Sequence, residues 1–387
     1  MNPILGCMNG FRADPSAIQE FGKLVGKQSD HANACDRYIM SNTLLQQDSE
    51  GWLNQLSGAH DALIDNSRVW FQALGRWTLE GAELSILDSA AYYGRTDAET
   101  AADFDSKLAH HTTNRSLPDP TTYFQERSRV GVFGETADPA SHLGKPDDYA
   151  AQGGWRWQPD WSDTVSIASA GRGAIMAATD FLAWTGALDR GYDPYEFLLK
   201  PVTGDWSGFR GCADVFRGAA DAARAVSGNL YHGRLGLAPS WEGKAADSCE
   251  SFFELVAMAV GPAADVLDRI GDEYERAAQG AFDFASVVGS LLSDLIDAAI
   301  ILAAAASAGA ATGPVGWLVG GSIAAWEAAQ IVACIQKLAD AWTVANDIIT
   351  TFKSGENSFG RLWASDKMLP ALPESGAEGS PMIQLPE

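Results

Sequence analysis

Residues 209–230, FRGCADVFRGAADAARAVSGNL, decide the fold class, because their apolar positions recur at steps of three and four without an exception. These positions are Phe209, Cys212, Phe216, Ala219, Ala223, Val226 and Leu230. Such spacing is typical of a helix that packs on a partner helix at a shallow angle. After the turn at residues 238–243, APSWEG, a similar stripe returns from Ala245 to Val260. The sequence therefore predicts an antiparallel helical hairpin over residues 201–285.

A second hairpin is predicted over residues 13–112. Asp14 and Pro15 mark its first helix start, because an Asp side chain accepts from the free N–H groups of a first turn and Pro fits the first helical position. Apolar residues recur at helical spacing along residues 18–39 and, after a polar break, along a second arm. The stripe of that arm is Leu53, Leu56, Leu63, Trp70, Leu74, Trp77 and Leu84. Long antiparallel arms bury their stripes best against another pair of arms, so we expect an all-α fold with four-helix-bundle packing.

The rest of the chain divides into segments that differ in composition and hydrophobic pattern. Residues 1–12 are a short lead-in to the first hairpin. Residues 113–160 form an irregular connector rich in Pro, Gly and Trp, and its aromatic content predicts that part of it packs on the bundle. A short helical segment follows over residues 161–200. Apolar helices rich in Ala and Gly are expected over residues 286–350, and the tail at residues 351–387, rich in Pro, Gly and Ser, is expected to be largely disordered.

The apolar extension includes a run without a charged residue, from Ala298 to Trp326, which by count alone is long enough to cross a bilayer. Gly313-Pro314 and Gly320-Gly321 split this run into two pieces, and three acidic residues flank it closely, Asp294, Asp297 and Glu327. These features favour a helix pair buried in protein. A hairpin that inserts into a membrane is the alternative.

The composition excludes several classes of protein. With 46% apolar and 20% charged residues the chain resembles ordinary globular proteins, so wholesale disorder is not expected. Lys and Arg total 27 and Asp and Glu total 50, a formal net charge of −23, and such a chain repels nucleic-acid phosphates. The first ten residues lack the charged start and apolar run of a Sec-type signal peptide, so any export is expected to take another route.

Motifs for metal binding, cofactor binding and catalysis are missing from the sequence. The five cysteines are scattered without a C-x-x-C, which predicts buried thiols and no zinc site. The six histidines form no H-E-x-x-H, and neither G-x-S-x-G nor a phosphate-binding G-x-x-x-x-G-K-[ST] occurs. We therefore expect no metal, no cofactor and no enzymatic activity. An enzyme or toxin activity carried by residues 111–200 is a further alternative.

Two short motifs stand out because of their positions. Trp241-Glu242-Gly243 lies in the turn of the second hairpin, and Tyr93-Gly-Arg-Thr-Asp97, followed by an acidic Ala-rich segment, lies near the end of the first. Trp184-Thr185-Gly186 also reads Trp-x-Gly but has no long helical arm on each side. Four residues apart on a helix, Tyr93 and Asp97 are expected to present an aromatic edge and a carboxylate on one exposed face.

Trp241 and Gly243 resemble the hallmark of the WXG-type substrates of actinobacterial ESX, or type VII, secretion systems. These are helical hairpins whose Trp-x-Gly occupies the connecting turn. Tyr93 and Asp97 resemble the Tyr-x-x-x-Asp/Glu of the ESX secretion-associated proteins. Partnered substrates of this kind divide the two motifs between two subunits, whereas this chain carries both.

The resemblance covers residues 13–110 and 201–285 and implies a function. The chain would be made in the cytoplasm, recognised by the ATPase or a chaperone of the secretion machinery, and released outside the cell or onto its surface. It would act as a non-enzymatic effector or structural protein, associating with itself or with another WXG-like helical protein. The alternatives are a membrane-active protein that uses residues 298–326 and, less favoured, a toxin carrier or enzyme.

The two motifs are expected to meet in space. In an antiparallel four-helix arrangement the turn of one hairpin lies beside the end of the other, so Trp241 should approach Tyr93. The resulting surface would exist only in the folded bundle, which would allow an exporter to test folding and pairing together.

Overall fold

The computed structural model describes residues 5–8, 11–45, 52–96, 98–107, 133–149, 161–193, 205–363 and 369–372. Side chains are described in these ranges except at residues 5–8, 52–53, 98–99, 161–171, 306–321 and 356–363. Within them most residues are helical and the only sheet is small, so the predicted all-α fold class is confirmed.

The first hairpin has helix α1, Pro15–Asn42, as its first arm. The Asp14 side chain accepts from the N–H groups of Ser16 and Ala17, at 2.9 and 3.3 Å, which confirms the predicted start. The second arm comprises α2, Trp52–Gln72, a π-helical segment, Ala73–Leu79, and α3, Glu80–Arg95, after which a short helix α4 spans Ala98–Lys107.

The π-helical segment corrects the predicted stripe of the second arm. A wider turn takes up one extra residue, so every later side chain is rotated relative to a regular helix. Trp77 and Leu84, which were predicted to be buried, are 51% and 50% exposed. The buried residues are instead Leu79, Ala82, Ile86, Ala90 and Tyr93. The rotation therefore moves Tyr93 into the core.

The second hairpin has helix α6, Trp206–Leu237, as its first arm, and helix α7, Lys244–Trp363, supplies the return arm. Every member of the stripe that predicted this hairpin is buried. Three arginines spaced seven residues apart on α6 reach acids of α7, in the pairs Arg210–Glu275, Arg217–Asp272 and Arg224–Asp265 at 2.6, 2.8 and 3.0 Å. Helix α1 packs on α2, α3 and α6, and α7 packs on α6 and α2, so the two hairpins meet as a bundle.

A buried polar link joins the two hairpins inside the core. The His60 Nδ1 of α2 lies 2.7 Å from the Tyr274 hydroxyl of α7, and its Nε2 lies 3.2 Å from the Thr43 carbonyl. Both His60 and Tyr274 are almost completely buried. Burial lowers the pKa of His60 below its ordinary value of 6.5, against an opposing effect of Asp61.

Helix α7 turns back on itself. The rings of Tyr274 and Phe352 lie 5.1 Å apart and those of Phe284 and Trp342 lie 6.2 Å apart. A straight helix would separate these pairs by roughly 120 and 90 Å. Both contacts are centred on residue 313, where Gly313-Pro314 was predicted to divide the apolar run. The apolar extension is therefore a third antiparallel pair of helical arms.

The last predicted boundary is corrected. Residues 351–363 were assigned to a disordered tail, yet α7 continues to Trp363. Phe352 holds this end in place, because its ring packs against Phe209 and Tyr274 in the core of the second hairpin. Farther along the tail, Leu372 packs beside Gly81 of α3.

The described part of the connector, residues 133–149, packs on the bundle as its aromatic residues predicted. Apart from a 3-10 turn at Pro139–His142 it is irregular. Asn229 of α6 receives hydrogen bonds from the backbone N–H groups of Thr136 and Ala137, and Tyr149 donates to Asp214 at 2.9 Å. Helix α5, Trp161–Trp184, lies in the range predicted for a short helical segment and packs on α7.

Candidate functional site

The Trp241 turn is held by the lead-in, where no strand was predicted. Strands β1, Leu5–Met8, and β2, Phe11–Ala13, pair antiparallel, and β2 pairs with β3, Trp241–Glu242. Asp14 N–H donates to the Ser240 carbonyl at 2.9 Å, and the Arg12 guanidinium donates to the Pro239 carbonyl at 2.6 Å. These contacts hold the turn between α6 and α7 in place, and its Trp241–Glu242 part is extended.

Trp241 and Tyr93 meet as the packing of the hairpins predicts. Their ring centroids lie 5.9 Å apart with an interplanar angle of 71°, an edge-to-face arrangement that is typical of attractive aromatic pairs. Phe11 of β2 also packs against Tyr93, at 5.7 Å between centroids. Sheet, first hairpin and second hairpin thus share one aromatic cluster.

Both motif aromatics are buried, which contradicts the expectation of an exposed recognition face. Trp241 and Tyr93 are each only 4% exposed. Burial raises the pKa of the Tyr93 phenol, and the nearby Trp241 indole N–H partly opposes that rise. The indole N–H approaches the phenol without making a hydrogen bond of good geometry, and it has no other acceptor among the described residues. The pair is therefore a packing contact.

The expected pairing of Tyr93 with Asp97 on one helix face is also wrong. Helix α3 ends at Arg95, and Thr96 is extended, with ψ of 144°, before α4 begins at Ala98. No continuous helix therefore carries the two motif positions. Asp97 itself lies outside the described residues.

Asp105 of α4 is the carboxylate that contacts the Trp-x-Gly turn. It is 7% exposed, and its oxygens accept from the backbone N–H groups of Lys244 and Ala245 at 2.9 and 3.0 Å. These two residues open α7, and the first N–H groups of a helix have no partner within the helix. The Lys244 ammonium returns the contact by donating to the Ser106 carbonyl at 2.6 Å. A carboxylate from the first hairpin thus caps the return helix of the second.

Gly243 is required by this cap. Its φ of +130° lies in a region that residues with a Cβ rarely adopt, and a Cβ there would lie 2.8 Å from the Asp105 Oδ2. A glycine before a helix offers no side chain for the free N–H groups. That missing cap is the sequence signal that an acceptor had to come from elsewhere, although it does not identify Asp105.

The second Trp-x-Gly has a different setting. Trp184 ends α5, is 83% exposed and precedes Gly186, whose φ is +78°. It contacts the ring of Phe181 one turn earlier on the same helix. Trp184 therefore provides a matched comparison for Trp241, with the same motif but no buried contact between hairpins.

A groove of about 860 Å³ adjoins the Trp241 turn. It lies between the end of α6, the start of α7, α4 and β2. Its aromatic lining includes Phe11, Phe21, Trp241 and Phe253. Its charged lining comprises Asp103, Asp105, Glu242, Asp247, Glu250, Arg234 and Lys244. The volume is typical of clefts that bind ligands.

Chemically reactive groups elsewhere are few in the described chain. His31, Glu135 and Asp138 are close enough to share a cation, but Glu135 also accepts from Lys27, whose positive charge opposes one. The Asp138 carboxylate is already used, because it caps the 3-10 turn. As predicted, Cys35, Cys212 and Cys334 are buried, and burial raises the pKa of Cys35 to about 12. Cys249 is partly buried, and the side chain of Cys7 is outside the described residues.

One helical stretch within Lys244–Ala305 is long and apolar enough to cross a membrane. An 18-residue segment of it has a mean hydropathy of 2.0, and 39% of that segment is buried inside the protein. Ala299 and Leu302 face the protein, whereas Ile300 and Ile301 are 52% and 42% exposed. Core helices of soluble proteins have the same length and composition.

No family model, no curated protein and no solved structure matches this chain.

Proposed function

We propose that this chain is a substrate of a type VII (ESX-like) secretion system and acts after export as a non-enzymatic helical effector or structural protein. The observation that carries the proposal is the contact of Trp241 with Tyr93. Each residue comes from a motif that resembles half of an export signal, and each lies in a different hairpin. The contact requires both hairpins to be folded and packed.

Because these aromatics are buried, the exporter must recognise the chain in a different way from the one expected. An exporter does not touch a side chain that is 4% exposed. It reads the backbone and neighbouring surface that the buried pair holds in place, namely α4, β3 and the start of α7. The secretion ATPase or a chaperone remains the proposed reader, and a second copy or another WXG-like helical protein remains the proposed associate.

The test is export from cells that have the secretion ATPase and from cells that lack it. We expect Trp241→Ala and Tyr93→Ala to abolish appearance in the culture filtrate, because either change removes the aromatic contact that fixes the turn. Trp184→Ala, matched in motif, should be exported normally. Phe352→Ala creates a cavity of comparable size far from the turn. It should lower stability without removing the export signal, so it controls for loss of stability. Normal ATPase-dependent export of Trp241→Ala contradicts the proposal.

A membrane-active protein is the second candidate, and one observation favours it. Ile300, Ile301, Ile323 and Trp326, all within the uncharged run, are exposed by 42% or more. Exposed apolar side chains on neighbouring arms suit a lipid surface. Dye leakage from zwitterionic liposomes tests this, with Ile301→Asp as the variant. Ile301 is chosen over its neighbour Leu302 because Leu302 is buried and a charge there would disturb packing.

A toxin carrier or enzyme remains the least favoured candidate. Residues 133–149 of the segment in question use their described polar groups to pack on the bundle, as Glu135 does with Lys27 and Tyr149 with Asp214. Activity or growth inhibition on expressing residues 111–200 alone would revive this candidate.

A further inference from the structure

The outer face of the first hairpin carries a small apolar patch that is only half covered. Trp77 and Leu84 are 51% and 50% exposed, because the π-helical segment turns them away from the core. Gly81 lies between them, about one turn from each, and is buried. We call these three residues the Trp77 patch. Neighbouring exposed apolar side chains mark a contact surface, and π-helical turns are frequent at functional sites.

The C-terminal tail already contacts the centre of the Trp77 patch. A Cβ on Gly81 would lie 2.6 Å from the Cδ1 of Leu372, and the side-chain atoms nearest to it would all belong to Leu372. Leu369 and Leu372 are partly buried and pack on the main hydrophobic core. Leu372 therefore occupies the space that a larger residue at position 81 would fill. The tail reaches this face at the point between Trp77 and Leu84.

The chain that follows Leu372 has the length and the side chains to cover the rest of the patch. Residues 373–387 lie outside the described residues. Fifteen residues reach up to about 50 Å when extended, whereas Trp77 and Leu84 are each only about 5–6 Å along the helix from Gly81. Residues 382–385, MIQL, supply three apolar side chains in an otherwise polar segment.

The charge of this segment also suits the surface beside the patch. Arg76, next to Trp77, is exposed and makes no ion pair or side-chain hydrogen bond with another described residue. Residues 373–387 contain three glutamates and neither Lys nor Arg. An exposed ion pair contributes little free energy, but opposite charges favour one orientation of two surfaces over another. Arg76 therefore favours this acidic segment as the occupant of the patch.

We propose that residues 373–387 dock on the Trp77 patch as a strap, anchored by the contact of Leu372 with Gly81. The apolar side chains of residues 382–385 cover Trp77 and Leu84. The strap closes a face of the first hairpin that would otherwise present apolar surface to another helical protein. It is a property of the folded chain and is independent of the proposed export.

The test is photo-crosslinking in the full chain. Benzoylphenylalanine replaces Trp77, whose exposed position accepts it, and mass spectrometry identifies the peptides that it joins. A mixture with isotopically labelled chain separates links within one chain from links between two. We expect links to residues 373–387 of the same chain. The same probe at Val344, which is 61% exposed on the third pair of arms, should give none. The proposal is overturned if position 77 gives no such links, if both positions give them equally or if position 77 links to a second copy instead.

Two variants test the anchor while leaving the bundle intact. Gly81→Gln fills the space of Leu372, and because Leu372 is what its Cβ meets, α3 should stay folded. Leu372→Asp removes the anchor from the other side. Each should lower the yield of links from position 77 roughly fivefold or more, since a partly buried Leu is lost from the contact. Ala371→Asp adds the same charge at an exposed position and should change the yield less than about twofold. Circular dichroism checks that every variant folds, and unchanged yields in Gly81→Gln and Leu372→Asp would overturn the proposal.

Binding of a hydrophobic dye gives a second readout of the strap in the full chain. Met382→Ser/Ile383→Ser/Leu385→Ser removes apolar side chains, yet it should increase the fluorescence of bound anilinonaphthalene sulfonate, because it uncovers the patch. Adding Trp77→Gln/Leu84→Gln should return the fluorescence to the level of the unchanged chain. An undocked tail predicts the opposite sign, since its own apolar side chains would bind dye. A decrease or no change in the triple variant would therefore contradict the strap.

Discussion

Replacing Asp105 tests whether the first hairpin caps the return helix of the second. Asp105→Ala removes two hydrogen bonds, at 2.9 and 3.0 Å, from N–H groups at the start of α7. Bonds to a charged acceptor contribute about 1.5–3 kcal/mol each, which gives a ceiling of about 6 kcal/mol. Measured losses of a helix cap are smaller, about 0.5–2 kcal/mol, because water reaches the freed groups. The groove admits water beside this cap, so we expect a loss of about 2 kcal/mol.

The assay is urea unfolding at pH 7, together with hydrogen exchange of the amides at residues 244–246. Asp103→Ala is the matched control, since Asp103 lies on the same short helix and its 65% exposed side chain pairs with Lys107. It should cost less than about 0.5 kcal/mol. Asp105→Asn keeps one acceptor oxygen and should fall between the two. Equal losses for Asp105→Ala and Asp103→Ala, or unchanged exchange at residues 244–246, would refute the capping role.

Three other predictions follow from the same contacts. Trp241→Ala should lower the free energy of unfolding by about 3–5 kcal/mol through an unfilled cavity, whereas the exposed Trp184→Ala should change it by less than about 0.5 kcal/mol in the same urea titration. Gly243→Ala should lower the free energy of unfolding by about 1–3 kcal/mol, because an alanine there has a strained positive φ and its Cβ would lie against Asp105. A loss smaller than that range would contradict the tight packing of Gly243 on Asp105. Because burial lowers the pKa of His60, the unfolded chain binds a proton more readily, so stability should be full above pH 6.5 and fall as the pH drops below it. His60→Gln should flatten that decline between urea titrations at pH 7.5 and 5.5, and an unchanged decline would assign it to other groups.

Sequence reasoning captured those parts of the fold that depend on local chemistry and period. The stripe of residues 209–230 and the cap at Asp14 each follow from rules that act within a few turns of helix. The return of α7 near Gly313-Pro314 was likewise indicated, since Gly and Pro interrupt an otherwise continuous apolar helix. These features required no knowledge of distant contacts.

The features that sequence reasoning missed depend on tertiary contacts. The π-helical segment at Ala73–Leu79 is supported by the Ser29 hydroxyl, which donates to the Gly75 carbonyl from another helix at 3.0 Å. No spacing rule for one helix anticipates that support, so the exposure of Trp77 and the burial of Tyr93 were both misjudged. In the lead-in, β2 pairs with the extended Trp241–Glu242 strand, a partner far along the chain that the local sequence does not indicate.

The candidate site was predicted in part. The approach of Trp241 to Tyr93 follows from antiparallel packing of two hairpins, and the structure shows this contact. Asp97 was predicted as the carboxylate of the Tyr93 motif and lies outside the described residues, whereas Asp105, the carboxylate that contacts the turn, was not predicted. An acceptor more than a hundred residues from the helix that it caps leaves no local trace in the sequence, except for the missing cap at Gly243.

Dependence of export on the secretion ATPase tests the central claim most directly. The tagged full chain would be quantified in culture filtrate and in cells, with and without the ATPase, alongside a cytoplasmic marker for lysis. The account predicts that the chain disappears from the filtrate and accumulates in cells without the ATPase, while the marker is unchanged. Equal amounts in the two filtrates would contradict it.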